Sequence, residues 1–201
     1  MVFLFAPNIV GYIRAALIIV ASDHIKSFLV EPIKDKTGDA ERSTSIFLIL
    51  YVLNFIMDAL DGFLARSLGQ TSKFGACLDM VLDRLGTAML FVALVLKTQS
   101  TLWLVPMYLD IAAHWFLTLA SKTNHKLQNE PILKWYYTNL LVICVFHEAF
   151  LIALLSPLKA SIKGLLVASL FPGFVAKVLV NIVQLLEASK SLAKPEFERI
   201  T

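Results

Sequence analysis

Charged residues are scarce in this chain, and their scarcity indicates its class. Lys, Arg, Asp and Glu make up 16% of the 201 residues, whereas 58% are hydrophobic and the mean hydropathy is +0.73. Soluble domains of this length are less apolar than that. The formal net charge of +3 is too small to indicate a nucleic-acid-binding protein, and no basic run alternates with aromatic residues. The composition predicts an all-α integral membrane protein that forms a single domain over residues 1–201.

Cysteine is also scarce. Cys77 and Cys144 lie in apolar surroundings without CxxC spacing, which argues against a disulfide framework and a zinc site. A basic region and a small-residue cleavage site are both missing around the first apolar run. We therefore expect residues 1–31 to be a retained first membrane segment rather than a cleaved signal.

Long apolar runs separated by polar loops predict a bundle of six transmembrane helices. Pro172 predicts a break and a kink in the last of them. Six spans place both termini on one side of the membrane, and a slight excess of Lys and Arg predicts that this side faces the cytosol. The approximate bounds of the spans are residues 7–30, 43–68, 73–96, 101–120, 135–156 and 162–186.

Four aspartates interrupt the second and third apolar segments. The spacing of Asp58 with Asp61, and of Asp79 with Asp83, places each pair on one face of a helix. Residues 69–72 supply a turn, so that two helices direct four carboxylates to one point. Each carboxylate costs about 2.5–3.5 kcal/mol at the bilayer centre, and the four repel one another, so a cation must lie among them. Oxygen ligands without a Cys or His cluster favour Mg²⁺ or Mn²⁺ over zinc.

These aspartates belong to a longer pattern, DxxDGxxAR, eight residues, then GxxxDxxxD, over residues 58–83. The pattern resembles the signature of the CDP-alcohol phosphotransferase family at every fixed position. The resemblance implies a transferase in which Asp58, Asp61, Asp79 and Asp83 bind Mg²⁺ or Mn²⁺, with two ions, and Asp83 also acts as the general base. It implies CDP-diacylglycerol binding by Asp58, Gly62, Ala65, Arg66 and Gly75.

Several sequence blocks that are individually less specific than the signature are similar to the eukaryotic phosphatidylinositol synthase branch of that family. They are PNIVGYIR at 7–14, DIAAHW at 110–115, KTNHK at 122–126, WYYTN at 135–139 and HEAF at 147–150. This resemblance implies phosphatidyl transfer from CDP-diacylglycerol to free myo-inositol with release of CMP. It also implies a homodimer in the endoplasmic reticulum membrane with its active site facing the cytosol. The candidate inositol-binding residues are Asp110, His114 and Lys126.

Several alternatives remain open at this point. A synthase of the same family could use glycerol phosphate or serine as its alcohol. A cation transporter could also hold carboxylates at membrane depth, although transport gives no reason for the fixed Gly and Ala-Arg positions. Arg14 either faces the aspartates or extends to the membrane interface. Asp110 with His114, and His147 with Glu148, could be structural hydrogen-bonded pairs.

Overall fold

The computed structural model describes residues 1–29, 38–121 and 138–193. Within these ranges it contains helices and no strand, which confirms the predicted all-α class. Three short 3-10 helices lie at Val2–Leu4, Ile25–Leu29 and Thr101–Trp103. The described residues also form six α-helices, which are α1 (Ala6–Asp23), α2 (Asp39–Ser67), α3 (Lys73–Thr98), α4 (Leu104–Ser121), α5 (Leu140–Leu155) and α6 (Ala160–Ala193).

The helices are those of a multi-pass membrane protein. Four segments are long and apolar enough to cross a membrane, namely Ala6–Leu29, Asp39–Ser67, Thr101–Ala120 and Ala160–Ala193, and a shorter apolar helix covers Leu141–Leu155. The 26 residues of α3 have an apolar C-terminal half, and the charged signature residues lie nearer its start. Large side chains such as those of Ile19 and Leu165 are mostly exposed, as expected for helices that face lipid.

The described residues form two compact units. The described residues within Met1–Thr101 and Leu155–Leu158 form one unit, and those within Leu102–Leu154 and Lys159–Thr201 form the other. The single domain over the whole chain stays a prediction.

In the first unit, α1 packs against both α2 and α3. Phe47 of α2 is fully buried, and the ring of Phe28 meets it edge-on at a centroid distance of 5.1 Å. Gly11 lets α1 approach α3 closely, because a Cβ at this position would lie 2.9 Å from Leu78 Cδ2. Polar side chains on the buried face of α1 can therefore reach the signature residues of both neighbouring helices.

The turn between α2 and α3 ends one helix and begins the next through specific contacts. Gly69 has a φ of +62°, and Gln70 N–H donates to the Ala65 carbonyl at 3.0 Å, which closes a Schellman motif. Ser72 then caps α3, since its hydroxyl accepts a hydrogen bond from Gly75 N–H at 2.9 Å. These contacts fix how α2 enters the turn and how α3 leaves it, and so how the two halves of the signature are oriented toward each other.

In the second unit, α6 packs against α4 and α5. Ile143 of α5 packs on Val180, and Ala120 of α4 packs on Ala188. The break predicted at Pro172 is absent, because α6 runs through this residue as one helix. The neighbouring Gly173 serves packing, since a Cβ there would lie 2.4 Å from the Cβ of Phe146.

Candidate active site

The four signature aspartates surround one guanidinium group. Nη1 of Arg14 lies 2.8 Å from Asp58 Oδ1, 2.6 Å from Asp61 Oδ2 and 2.9 Å from Asp79 Oδ1. Nη2 of the same residue lies 2.6 Å from Asp83 Oδ1. The structure therefore brings together the carboxylates that the spacing predicted to converge. The sequence left open whether Arg14 faces the aspartates or extends to the membrane interface. In the structure it faces the aspartates, and its side chain is 1% exposed.

Three of the four carboxylates form a tighter group. One oxygen from each of Asp58, Asp61 and Asp79 lies within 4.8 Å of the others. Mg²⁺ holds oxygen ligands at about 2.1 Å, so opposite ligands of one ion are about 4.2 Å apart. The separations of the three oxygens extend up to 4.8 Å, so the oxygens would have to draw closer together to bind one ion. The convergence of three carboxylate oxygens is the donor set that a hard divalent cation prefers.

The cluster is closed at one end and accessible at the other. The Asp61 side chain is 9% exposed, whereas the side chains of Asp79 and Asp83 are 47% and 30% exposed. Asp83 is not a member of the tight trio and contacts Arg14 through the other guanidinium nitrogen. Its second oxygen lies 3.8 Å from Nη2 of Arg84. Asp83 is thus the one signature aspartate that lies outside the trio.

A pocket of about 200 Å³ adjoins the cluster and reaches Asp61 and Asp79. Four of the five residues predicted to bind CDP-diacylglycerol line it, and the fifth, Asp58, belongs to the neighbouring carboxylate cluster. The predicted lining residues are Gly62, Ala65, Arg66 and Gly75, and the others are Pro7, Asn8, Gly11, Gln70, Thr71, Ser72, Ala76 and Leu78.

The N-terminus of α1 forms one wall of this pocket. The main-chain N–H of Ala6 donates to Gln70 Oε1 at 2.8 Å, which ties α1 to the turn between α2 and α3. Asn8 is buried and approaches Gly75 so closely that a Cβ on the glycine would lie 2.8 Å from Asn8 Oδ1. The fixed glycine at position 75 is therefore small because a neighbouring helix approaches its backbone. Sequence reasoning had not singled out Asn8 or Gln70.

The residues predicted to bind inositol fall in the second unit or outside the described residues. Asp110 is buried, and its Oδ1 accepts a hydrogen bond from Asn181 Nδ2 at 3.0 Å and lies 3.6 Å from Lys177 Nζ. His114 Nδ1 lies 2.8 Å from the Asp110 carbonyl oxygen and 3.6 Å from Oδ1, so these two residues do share a helix face. Lys126 lies outside the described residues.

Sequence reasoning also missed two buried polar residues of α6. Lys177 Nζ donates to Asn181 Oδ1 at 2.9 Å, and both side chains are buried. The signal was available, because polar residues four positions apart in an apolar run share a face, as the Asp110 pair does. The predicted contact between His147 and Glu148 is present at 3.3 Å, and the His147 ring stacks on Phe174 at 5.6 Å.

Comparison with known proteins gives a consistent set of matches. The family model described as CDP-alcohol phosphatidyltransferase matches residues 4–171. The human CDP-diacylglycerol–inositol 3-phosphatidyltransferase is 32% identical, with 96% of this chain and 92% of the relative covered. The protein of the same name from Candida albicans is 36% identical over 96% of this chain and 84% of its own length. A probable CDP-diacylglycerol–inositol 3-phosphatidyltransferase 2 from Arabidopsis thaliana is 33% identical over 94% and 89%. No solved structure matches the chain.

Proposed function

Because the chain belongs to the CDP-alcohol phosphatidyltransferase family, we propose that it transfers the phosphatidyl group of CDP-diacylglycerol to free myo-inositol and releases CMP. The observation that carries the proposal is the convergence of four carboxylates beside a pocket that other signature residues line. The choice of inositol rests on the relatives, whose printed names give inositol 3-phosphatidyltransferases.

In this proposal, Asp58, Asp61, Asp79 and Asp83 hold Mg²⁺ or Mn²⁺, with two ions in the working enzyme. The oxygen-only donor set and the 4.8 Å spread of the tight trio support this assignment. When bound, such ions neutralise pyrophosphate charge and polarise the phosphorus that is attacked.

The pocket beside the cluster is the proposed binding site for the CDP portion of CDP-diacylglycerol. Gly62, Ala65 and Gly75 leave room along its walls because they are small. Arg66 is exposed at its edge and presents a planar fork of donors that matches phosphate oxygens. Asp58 would act with these four residues from the adjoining cluster. A nucleotide in the pocket would place its phosphates next to Asp61 and Asp79.

Asp83 is the proposed general base. A hydroxyl oxygen of inositol attacks the phosphatidyl phosphorus, and the hydroxyl proton passes to the Asp83 carboxylate. The bond between this phosphorus and the bridging oxygen breaks, and CMP leaves with the electron pair. The position of Asp83 outside the tight trio supports this assignment.

Asp110, His114 and Lys126 are the proposed inositol-binding residues. His114 is the more accessible of the two that the structure describes, with a side chain 19% exposed against 3% for Asp110. The buried Asp110 carboxylate contacts Asn181 and lies near Lys177, so it would orient the group around His114 rather than meet the polyol first.

The chain is a multi-pass membrane protein, and the remaining proposals concern its setting. We place it in the endoplasmic reticulum membrane, as a homodimer, with the aspartate cluster open to the cytosol. The excess of basic residues in the loops on that side supports the orientation. Family resemblance supports the homodimer and the compartment.

The proposal is tested by CMP release from CDP-diacylglycerol by the purified chain in lipid-detergent micelles containing MnCl₂. We expect myo-inositol to stimulate release, and Asp83→Asn to lower the stimulated rate by about 10²–10⁴-fold, the usual contribution of a general base. Asp23→Asn makes the same chemical change at an exposed residue of α1 and serves as the control. Its rate should stay close to that of the unsubstituted protein.

Two other results would contradict the proposal in different ways. CMP release that serine or glycerol phosphate stimulates, and inositol does not, would support the mechanism but refute inositol as the acceptor alcohol. Absence of release with every alcohol, together with divalent-cation flux into vesicles that contain the protein, would favour a transporter.

A further inference from the structure

The Arg14 guanidinium occupies the place in the aspartate cluster that a divalent ion would take. Its Nη1 contacts one oxygen from each of Asp58, Asp61 and Asp79, at 2.8, 2.6 and 2.9 Å. The same three residues are those whose oxygens lie within 4.8 Å of one another. A divalent ion bound to these three oxygens would occupy the position of Arg14 Nη1, so the two cannot be bound there at the same time.

One polar group of the buried Arg14 side chain is left without a partner in the described part of the chain. Arg14 is 1% exposed, and its Nε–H has no hydrogen-bond partner among the residues that the structure describes. A buried donor without an acceptor is unfavourable, so the position of the side chain depends on the attraction between its charge and the four carboxylates. A divalent metal ion that coordinates the carboxylate oxygens would neutralise their charge and so remove this attraction.

We propose that Arg14 and divalent metal ions bind the aspartate cluster in competition, so that Arg14 sets the metal affinity of the site. This inference rests on the proposed metal site. Without metal, the guanidinium holds four mutually repelling carboxylates together. With metal, the ion neutralises the carboxylates instead and Arg14 leaves the trio. Arg14 is thus a positioning residue that keeps the site assembled before metal and substrate arrive.

The test is Mn²⁺ binding to the purified full-length chain, measured by the electron paramagnetic resonance signal of free Mn²⁺ without substrate. Arg14→Gln removes the competing charge, and we expect it to tighten Mn²⁺ binding by about tenfold or more. Lys73→Gln makes the same charge change at an exposed residue of α3 and is the matched control. Its Mn²⁺ affinity should change by less than about threefold, since exposed charges are screened.

Thermal unfolding followed by tryptophan fluorescence gives a second readout that does not depend on activity. In EDTA, Arg14→Gln should unfold at a lower temperature than the unsubstituted protein, because four carboxylates are left without their counter-ion. Saturating MnCl₂ should stabilise the variant more than it stabilises the unsubstituted protein. If the variant is unstable without metal, purification in MnCl₂ should yield folded protein that unfolds when EDTA is added.

The outcomes separate this inference from the function on which it rests. Equal or weaker Mn²⁺ binding by folded Arg14→Gln would show that Arg14 supports the cluster without competing with metal. If Arg14→Gln stays unfolded with MnCl₂, equal or weaker Mn²⁺ binding by Arg14→Lys would refute the competition instead. If Mn²⁺ binds neither protein, or if Asp61→Asn leaves binding unchanged, the metal site itself is refuted. Arg14→Lys keeps the charge and should bind Mn²⁺ with an affinity between those of the other two proteins.

Discussion

Gly75→Ala tests whether the fixed glycine of the signature is small because α1 lies against it. The added Cβ would lie 2.8 Å from Asn8 Oδ1 and 3.2 Å from Ser72 Oγ, and the first distance is shorter than real Cβ contacts. Asn8 is buried and donates to the Val2 carbonyl at 2.7 Å, so a movement that relieves the contact would weaken that bond. Overpacking of this kind costs about 1–3 kcal/mol.

The matched control is Gly164→Ala, because Gly164 also lies near the start of a long helix and has open space where the Cβ would be. Both variants gain about 0.5–1 kcal/mol from the replacement of a helical glycine by alanine, so this gain largely cancels between them. The difference in unfolding free energy should then equal the overpacking cost at position 75. For a chain of this size, about 1–3 kcal/mol lowers the unfolding temperature by roughly 2–12 °C.

The assay is thermal unfolding of both purified variants in the same detergent, together with the KM for CDP-diacylglycerol. We expect Gly75→Ala to unfold at the lower temperature and to show the higher KM, because position 75 lines the pocket. Adding Asn8→Ala removes the atom that the new Cβ meets, and it should therefore recover part of the loss. Equal unfolding temperatures for Gly75→Ala and Gly164→Ala would refute the reasoning.

Two further predictions concern stability. Ser72→Ala removes the hydroxyl that caps α3 at 2.9 Å and should cost about 1 kcal/mol, measured as a lower unfolding temperature than that of Thr71→Ala at the exposed neighbouring position. Lys177→Met removes the cation 3.6 Å from the buried Asp110 carboxylate, and breaking a buried pair costs about 3–5 kcal/mol. The double variant with Asp110→Asn should lose less than the sum of the single losses, and additive losses would contradict a coupled pair.

The sequence predicts much of the fold and the composition of the site, because both depend on local periodicity. Apolar runs locate the helices, and the aspartates converge because spacings of three and four place each pair on one face. The predicted break at Pro172 is wrong, since α6 is continuous through this residue. Gly173 packs against Phe146 of α5, and this close contact accompanies a continuous α6. A local sequence signal carries no information about such a partner.

The cation among the aspartates could not be chosen from the sequence alone. Carboxylate repulsion requires a positive charge, but it does not say whether a metal ion or Arg14 supplies it. The choice depends on how closely α1 packs against α2 and α3, which is a property of the folded unit. The same holds for Asn8 and Gln70, which lie far apart in sequence and both line the pocket.

The buried face of α1 explains why an N-terminal helix outside the signature takes part in the site. Its buried positions include Asn8, Gly11, Arg14 and Ile18, which recur every three or four residues as one helical face. The first three make different contacts, since Asn8 meets Gly75, Gly11 permits the close approach to α3, and Arg14 enters the aspartate cluster. Without metal, the carboxylates of α2 and α3 thus obtain Arg14 as their counter-ion only when α1 is packed against them. Assembly of the site is therefore coupled to packing of the whole first unit, and a substitution that displaces α1 should weaken both together.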